Sequence, residues 1–548
     1  MCCIYLPKII AGFIFILLTL HAGGQSAPGF QWAKTATGAY FETASAMAVD
    51  SQSNVYVTGA IGQSVQFGTQ AMPGGTVVPN PPYLDLAKSV VFLAKYSPSG
   101  NLEWVLQDTG SSSSAGRGLA VDSNNNVYLT GEFTGNATFG SLSLTNATPK
   151  PDIFLAKFSP AGNPEWLHQA GGIHSDAAYG IAIDSGNNAY LTGSTSGVVN
   201  FGGITADTGV NVYGVARSSA YVAKYSSAGL AQWLRILGGT GQATGYAISE
   251  RNGKIWVGGG YSGSVVLGGT TITNTNAYQQ NGFVASYTAT GDVETITTLP
   301  GADGIWVNTM TFDAQNNLYV SGSFGGSVTL GTSTFSSSGG TYQRFIARMN
   351  LAGQFQWGKA LGSSVNYNDG TIVGDADGFI MVTGFTGGFN RDAVSLNSAG
   401  SGDLMVVKFT AAGSAVWGVS GGGSMDDGGA VGALAPDGGL YAAGWFRKQA
   451  VLGSVGISGS TVQFQTDIFV TRLGVVVEKL PTLTIAYVGD GLVQVQWPLA
   501  PGYTLQETVN LSPASWQTSV RNITSFSGIN SVYVPVSSST RRFFRLAR

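Results

Sequence analysis

Six acidic residues recur at one position of a repeated phrase in this 548-residue chain. Asp50, Asp122, Asp184, Glu250, Asp313 and Asp375 each stand nine residues before a glycine, and Ala435 takes the place in a seventh copy. Oxygen-rich runs such as Asp122-Ser-Asn124-Asn-Asn126 and Asp375-Ala-Asp377 could ligate calcium, the one cofactor the sequence suggests. Calcium loops use more carboxylates than this, so the expected role is an Asx turn that caps a hairpin. A second set is cationic: Lys95, Lys157, Lys224, Arg348, Lys408 and Arg472. In a chain this poor in charge, pairing with the recurring acids is the expected use, and a ring that binds an anionic polymer is the alternative. A third set is aromatic. Trp32, Trp104, Trp166, Trp233, Trp357 and Trp417 could stack sugars if exposed, but their fixed place in the repeat favours packing between units.

Other candidate chemistry is thin. His168 and His174 lie near one another in the chain but lack a third ligand or an HExxH setting. Gly418-Val-Ser420-Gly-Gly spells a nucleophile elbow without the strand-to-helix turn that such an elbow needs. Gly258-Gly-Gly260-Tyr-Ser-Gly263 leads into a strand, so the phosphate-cradling helix is missing. Asp303 and the Asp426-Asp427 pair are the acids outside the repeat that a carbohydrate-active enzyme could use. No catalytic residue is assigned.

The elements that position these residues follow from the repeat. VDSQSNVYVTG, VDSNNNVYLTG and IDSGNNAYLTG end at Gly59, Gly131 and Gly193, and weaker copies end at Gly259, Gly322, Gly384 and Gly444. Successive glycines are 72, 62, 66, 63, 62 and 60 residues apart. A second phrase, VFLAKYSPSGNLEW and its relatives, places each cation five residues before a glycine and nine before a tryptophan. Unit four departs, with Ser286 and Thr295 in those places. FLAKYS alternates between two faces, as a pleated strand does, and Ser-Pro-Ser-Gly is turn chemistry. Each unit therefore reads as four antiparallel strands, with a variable glycine-rich excursion between the second and third. Unit seven ends at Arg472 without a fourth strand, and Phe30-Gln-Trp32-Ala-Lys near the N-terminus looks like the missing copy. The expected fold is all-β: a seven-bladed β-propeller over 28–478, closed by its N-terminal strand.

These phrases resemble the bacterial SBBP family, whose beta-propeller repeat carries both. The resemblance spans about residues 28–473 and implies an extracellular propeller with no agreed enzyme activity. Residues 479–548 are expected to form a small β-sandwich. Their YTLQETVNLSPASWQ and RRFFRLAR phrases look like a C-terminal module of exported bacterial proteins.

Composition bounds the rest. Only 10% of residues are charged, 80 are glycine and the net charge is −3, which offers nucleic acid no footprint. Residues 1–27 resemble a signal peptide, with Lys8 ahead of an apolar stretch too short to span a bilayer comfortably. Cys2 and Cys3 precede that stretch, so the mature chain is expected to lack cysteine and any transmembrane segment. The expectation is a secreted bacterial monomer, a binding or scaffold module at the cell surface or in the matrix. Its partner would be an extracellular polysaccharide or a surface protein, with specificity in excursions such as Ala71 to Lys88 and Gly203 to Arg217. A lyase or hydrolase at the channel mouth, and an adhesin held by the C-terminal module, are the alternatives.

Overall fold

Short apolar runs flanked by turn residues leave the chain one economical solution, pairing each run with its neighbour, and the structure takes it throughout. The computed structural model describes residues 2–5, 18–19, 27–38, 40–74, 89–110, 113–210, 215–276, 279–337, 341–366, 370–460, 465–475, 484–489, 492–498, 504–508, 517–519, 521–526, 529–535 and 543–547. Every regular element among them is a β-strand. The chain divides into two compact bodies, Ser26–Val477 and Glu478–Arg548 together with Met1–Gln25.

Within the larger body the first unit sets the pattern. Thr43–Val49, Val55–Ile61, Val90–Tyr96 and Leu102–Gln107 pair antiparallel in chain order. The second and third strands are the most buried, so Val57, Phe92 and Ala94 join one core cluster. The last set is assembled from both ends of the body: Gly428–Leu434, Gly439–Phe446 and Asp467–Val475 are followed by Phe30–Thr37, whose Trp32 lies opposite Arg472. First strands neighbour one another in chain order, and Gly428–Leu434 lies beside Thr43–Val49.

The excursions depart from expectation. They carry a third repeated phrase, seen in SVQFG, NATFG, VVNFG and SVTLG, which folds as a hairpin. In three units that hairpin extends the sheet of the preceding unit. Val198–Phe201 pairs with Pro164–Gly172, Gln449–Leu452 with Ala415–Gly422, and Gln63–Phe67 with Phe30–Thr37. A variable loop was expected because glycine and serine dominate these stretches. The buried Phe67, Phe139, Phe201 and Leu452 explain the order, since each fills the seam between two units. Of the excursion Ala71 to Lys88, residues 75–88 lie outside the described set, as do 211–214 of the second.

The smaller body has two antiparallel sheets. One holds Thr484–Gly489, Leu492–Pro498, Ile529–Pro535 and Thr524–Phe526; the other holds Thr504–Thr508, Gln517–Thr518 and Phe543–Ala547. Val495, Trp497, Leu505, Val532, Val534 and Phe544 are buried there. The expected signal segment lies outside the described residues apart from Cys2–Tyr5, Leu18–Thr19 and Ala27, and Cys2–Tyr5 pairs with Phe543–Ala547.

Phe201 is buried on a hairpin that has crossed to its neighbour's sheet, so Phe201→Ala is expected to cost about 3–5 kcal/mol in urea unfolding. Val198→Ser, on the exposed face of the same strand, should change stability by less than about 0.5 kcal/mol. Equal effects would mean that the crossing is not structural.

Candidate functional site

The antiparallel order gives each unit two ends. The turns between strands one and two and between strands three and four share one end; the hairpins and the links to the next unit share the other. The recurring acids, cations and tryptophans all lie at the turn end.

There each acid serves its own turn. Asp122 Oδ1 accepts from the backbone N–H groups of Asn124 and Asn126 at 2.9 and 2.8 Å, and Oδ2 accepts from Asn126 Nδ2 at 3.0 Å. Asp50, Asp184 and Asp313 repeat this, and each also accepts from the tyrosine six residues on. Burial works to raise the Asp184 carboxyl, but the Asn188, Tyr190 and Gly186 donors outweigh it and hold the group below its ordinary range. Glu250 accepts from Gly253 N at 2.7 Å. The next-to-last turn residue is left-handed, with φ of 65°, 62° and 64° at Asn125, Asn187 and Asn316, a conformation asparagine tolerates. The side chains of Asn125 and Asn187 then accept from Ser51 N and Ser123 N of the preceding unit.

The cations reach in the other direction. Lys95 Nζ and Trp104 Nε1 both donate to Pro160 O of the next unit, each at 3.3 Å. Lys157 and Trp166 share Ser227 O, Lys224 and Trp233 share Ala289 O, and Arg348 and Trp357 share Ala411 O. Arg472 and Trp32, from opposite ends of the body, share Pro98 O at 2.9 and 3.0 Å. The glycine two residues beyond each shared carbonyl has a positive φ and lies under the indole. A Cβ on Gly162 would approach Trp104 to 3.1 Å, and one on Gly100 would approach Trp32 to 2.7 Å. In unit four Ser286 and Thr295 instead bond each other at 2.8 Å, and Thr297 donates to Gly353 O. Trp417 is buried beside Phe446 and Leu452.

Pairing between acid and cation is therefore only partial. Lys95 is 3.9 Å from Asp50 but 3.0 Å from Glu103, and Lys157 meets Glu165 at 3.0 Å rather than Asp122. The acids' oxygens are already engaged by turn N–H groups, which is why the cations turn to carbonyls. Lys408 is the exception: it contacts Asp375 and lies 2.7 Å from Asp377. The ammonium thus sits where a calcium ion would have used those two carboxylates. Arg472 pairs with Asp437 at 2.5 Å.

Two further sets at the linker end escaped the sequence reading. The first is a series of buried acid pairs between consecutive units. Asp152 faces Asp176, Asp403 faces Asp427, and Asp467 faces Glu42. Burial, then the neighbouring Asp467, pushes Glu42 up to about 9; burial takes Asp427 to about 7 and Asp152 to about 6. Both Glu42 oxygens are buried without a hydrogen-bond partner among the described residues. Asp152, Asp403 and Asp467 all stand five residues before the repeated cation, a spacing that would have revealed them. Of the acids outside the repeat, Asp426 and Asp427 lie beside Asp403, whereas Asp303 lies in a different link, against Gly326.

The second set comes from β-bulges. Six first strands carry one at the same place, leaving Ser45, Arg117, Tyr179, Tyr246, Asn308 and Ala430 unpaired with the second strand. The surrounding residues repeat; these do not. The two candidate histidines separate, His168 against Trp166 at 5.1 Å and His174 against Gly197. Ser420 lies inside the paired strand Ala415–Gly422.

Residues 103–136 and 165–202 match the SBBP family, described as a beta-propeller repeat. The chain carries β-propeller repeats. It is 25% identical over 190 residues to an uncharacterized WD repeat-containing protein, L264, of Acanthamoeba polyphaga mimivirus, a match covering 33% of this chain and 13% of that protein. The chain thus spans well under two thirds of that relative. Among solved structures, one of YCF48 bound to D1 peptide aligns over 83% of this chain and 99% of its own, with 7% identity and a TM-score of 0.35. Puromycin hydrolase aligns over 84% of this chain and 59% of its own, with 11% identity and a TM-score of 0.33.

Two outcomes are expected. Gly162→Ala forces both a left-handed alanine and a contact with Trp104, and should lower stability by about 1–3 kcal/mol, whereas Gly456→Ala, in open space, should be neutral by thermal unfolding. The acid pairs set a pH dependence. Between the ordinary carboxyl range and its raised folded value each acid holds a proton that the unfolded chain has lost, so stability falls as pH rises. The melting temperature is expected to decline between about pH 4.5 and 9, and Glu42→Gln should flatten the upper part of that decline.

Proposed function

We propose that the chain is an exported, non-enzymatic binding or scaffold protein, a seven-bladed propeller closed by Phe30–Thr37 and working at a bacterial cell surface or matrix. Closure is supported by Trp32 and Arg472, which meet Pro98 O as the Trp and cation of other units meet theirs. Export is supported by residues 1–27, read as a leader. No helix among the described residues is long and apolar enough to cross a membrane.

The observation that carries the binding reading is the set of six bulges. Cations, acids, tryptophans and hairpins hold units together, and their types recur for that reason. The bulged residues are free to vary, and a bulge re-aims a side chain without breaking the fold. In a closed ring of first strands they would line the central channel.

A carbohydrate-active enzyme is the second reading. It is favoured by the convergence of Asp403, Asp426 and Asp427 in one link, where burial keeps Asp427 protonated up to about pH 7, as a general acid requires. Residues 479–548 would then be the module that holds the protein to its surface.

The test compares binding of 28–548 and 28–478 to surface polysaccharides and polymers, with and without calcium. Binding retained by 28–478, unaffected by calcium and with no released product, is expected. Product that disappears in Asp427→Asn would establish the enzyme instead, and binding lost with residues 479–548 would make the ring a spacer.

A further inference from the structure

Among the bulged residues the large ones are consecutive. Arg117, Tyr179, Tyr246 and Asn308 come from four successive units, while Ser45 and Ala430, on units one and seven, are small. One wall of the space around the first strands is therefore built up and the facing wall is cut back. Tyr179 and Tyr246 are half-buried with ring centroids 5.7 Å apart and planes inclined at 42°, an open angle between two aromatic faces. Trp306, two residues before Asn308, is half-buried, and its Cβ lies against Gly260, the partner of Thr244 on the strand that carries Tyr246. Trp306 in turn packs on Tyr342 at 5.0 Å.

The polar groups have a matching character. Arg117 Nη2 and Nε donate to Glu132 Oε1 at 2.6 and 3.2 Å, on side chains 41% and 23% exposed. The pair offers donors and acceptors side by side with no net charge. Asn308 accepts from Ser323 at 3.1 Å and adds an amide. No aliphatic side chain larger than alanine stands at any bulge, so an apolar peptide anchor finds no pocket there. Aromatic faces beside a neutralised ion pair and an amide suit a ligand with C–H faces and many hydroxyls.

We propose that Arg117, Tyr179, Tyr246 and Trp306 form a binding site for an uncharged glycan chain, with its sugar faces on the rings and its hydroxyls on the Arg117–Glu132 pair. The proposal rests on the binding-module reading above and names the ligand class of the site which that reading places on the bulges.

The experiment is isothermal titration of the chain from residue 28 onward with neutral and uronic-acid oligosaccharides, followed by tryptophan fluorescence. A neutral oligosaccharide should bind, and Tyr246→Ala and Trp306→Ala should each weaken it about tenfold or more, while Tyr246→Phe keeps the ring and most of the affinity. Arg117→Ala should weaken binding without moving the melting temperature, because the ion pair is exposed. Unchanged affinity in Tyr246→Ala, Trp306→Ala and Arg117→Ala together, a preference for uronic acids, or no binding of any neutral oligosaccharide would overturn the proposal. If surface polymers still bind 28–478 in that event, the binding-module reading survives and only this site is lost.

Discussion

At five junctions one backbone carbonyl, in the turn between strands three and four, ties neighbouring units of the larger body together. It accepts an indole N–H and a cation from the preceding unit, while the glycine beside it lies flat under the indole ring. The arrangement needs a turn with no N–H competition for that oxygen, a residue without Cβ, and a tryptophan and cation opposite one another on adjacent strands. The Lys–Trp register supplies the last requirement: Lys95 faces Trp104, Lys157 faces Trp166 and Lys408 faces Trp417. Where one part is missing its counterpart changes too. Unit four has Thr295 at the tryptophan's place, and the following Gly353 meets Thr295 and Thr297 instead.

The two ends of each unit solve the problem of charge differently. At the turn end the acids accept from the N–H groups of their own turns, and the cations are left to bridge units. At the linker end three acids face acids in dry seams and favour the protonated form. The linker end therefore contributes stability that weakens as pH rises. The hairpins that extend neighbouring sheets close over those same seams, which is how such unfavourable pairs remain buried.

A frame in which almost every charged residue has a structural partner leaves little for chemistry. Variation survives where the chain swells by one residue against an unpaired edge. The bulges let Arg117, Tyr179 and Tyr246 differ although Gly116, Ala178 and Gly245 before them face recurring glycines in the second strand.

How much of this could be read from the chain depends on the range of each interaction. The period, the turn glycines and the alternation within FLAKYS are local, and the all-β, repeat-based character follows from them because strand pairing and turn formation need only neighbours. The recurring acid is local too, since its donors lie two and four residues on. The cation's use was not legible: Glu103 is near in sequence, but Pro160 O lies in the next unit, and only packing decides which wins. The hairpins looked like loops because glycine and serine conceal a few buried apolar side chains whose partners belong to another unit. The partners of the buried acids and the bulge residues were not legible for a related reason. Each depends on residues from different units meeting across a seam, and a period in sequence says what recurs, whereas tertiary structure alone decides what the recurring pieces face.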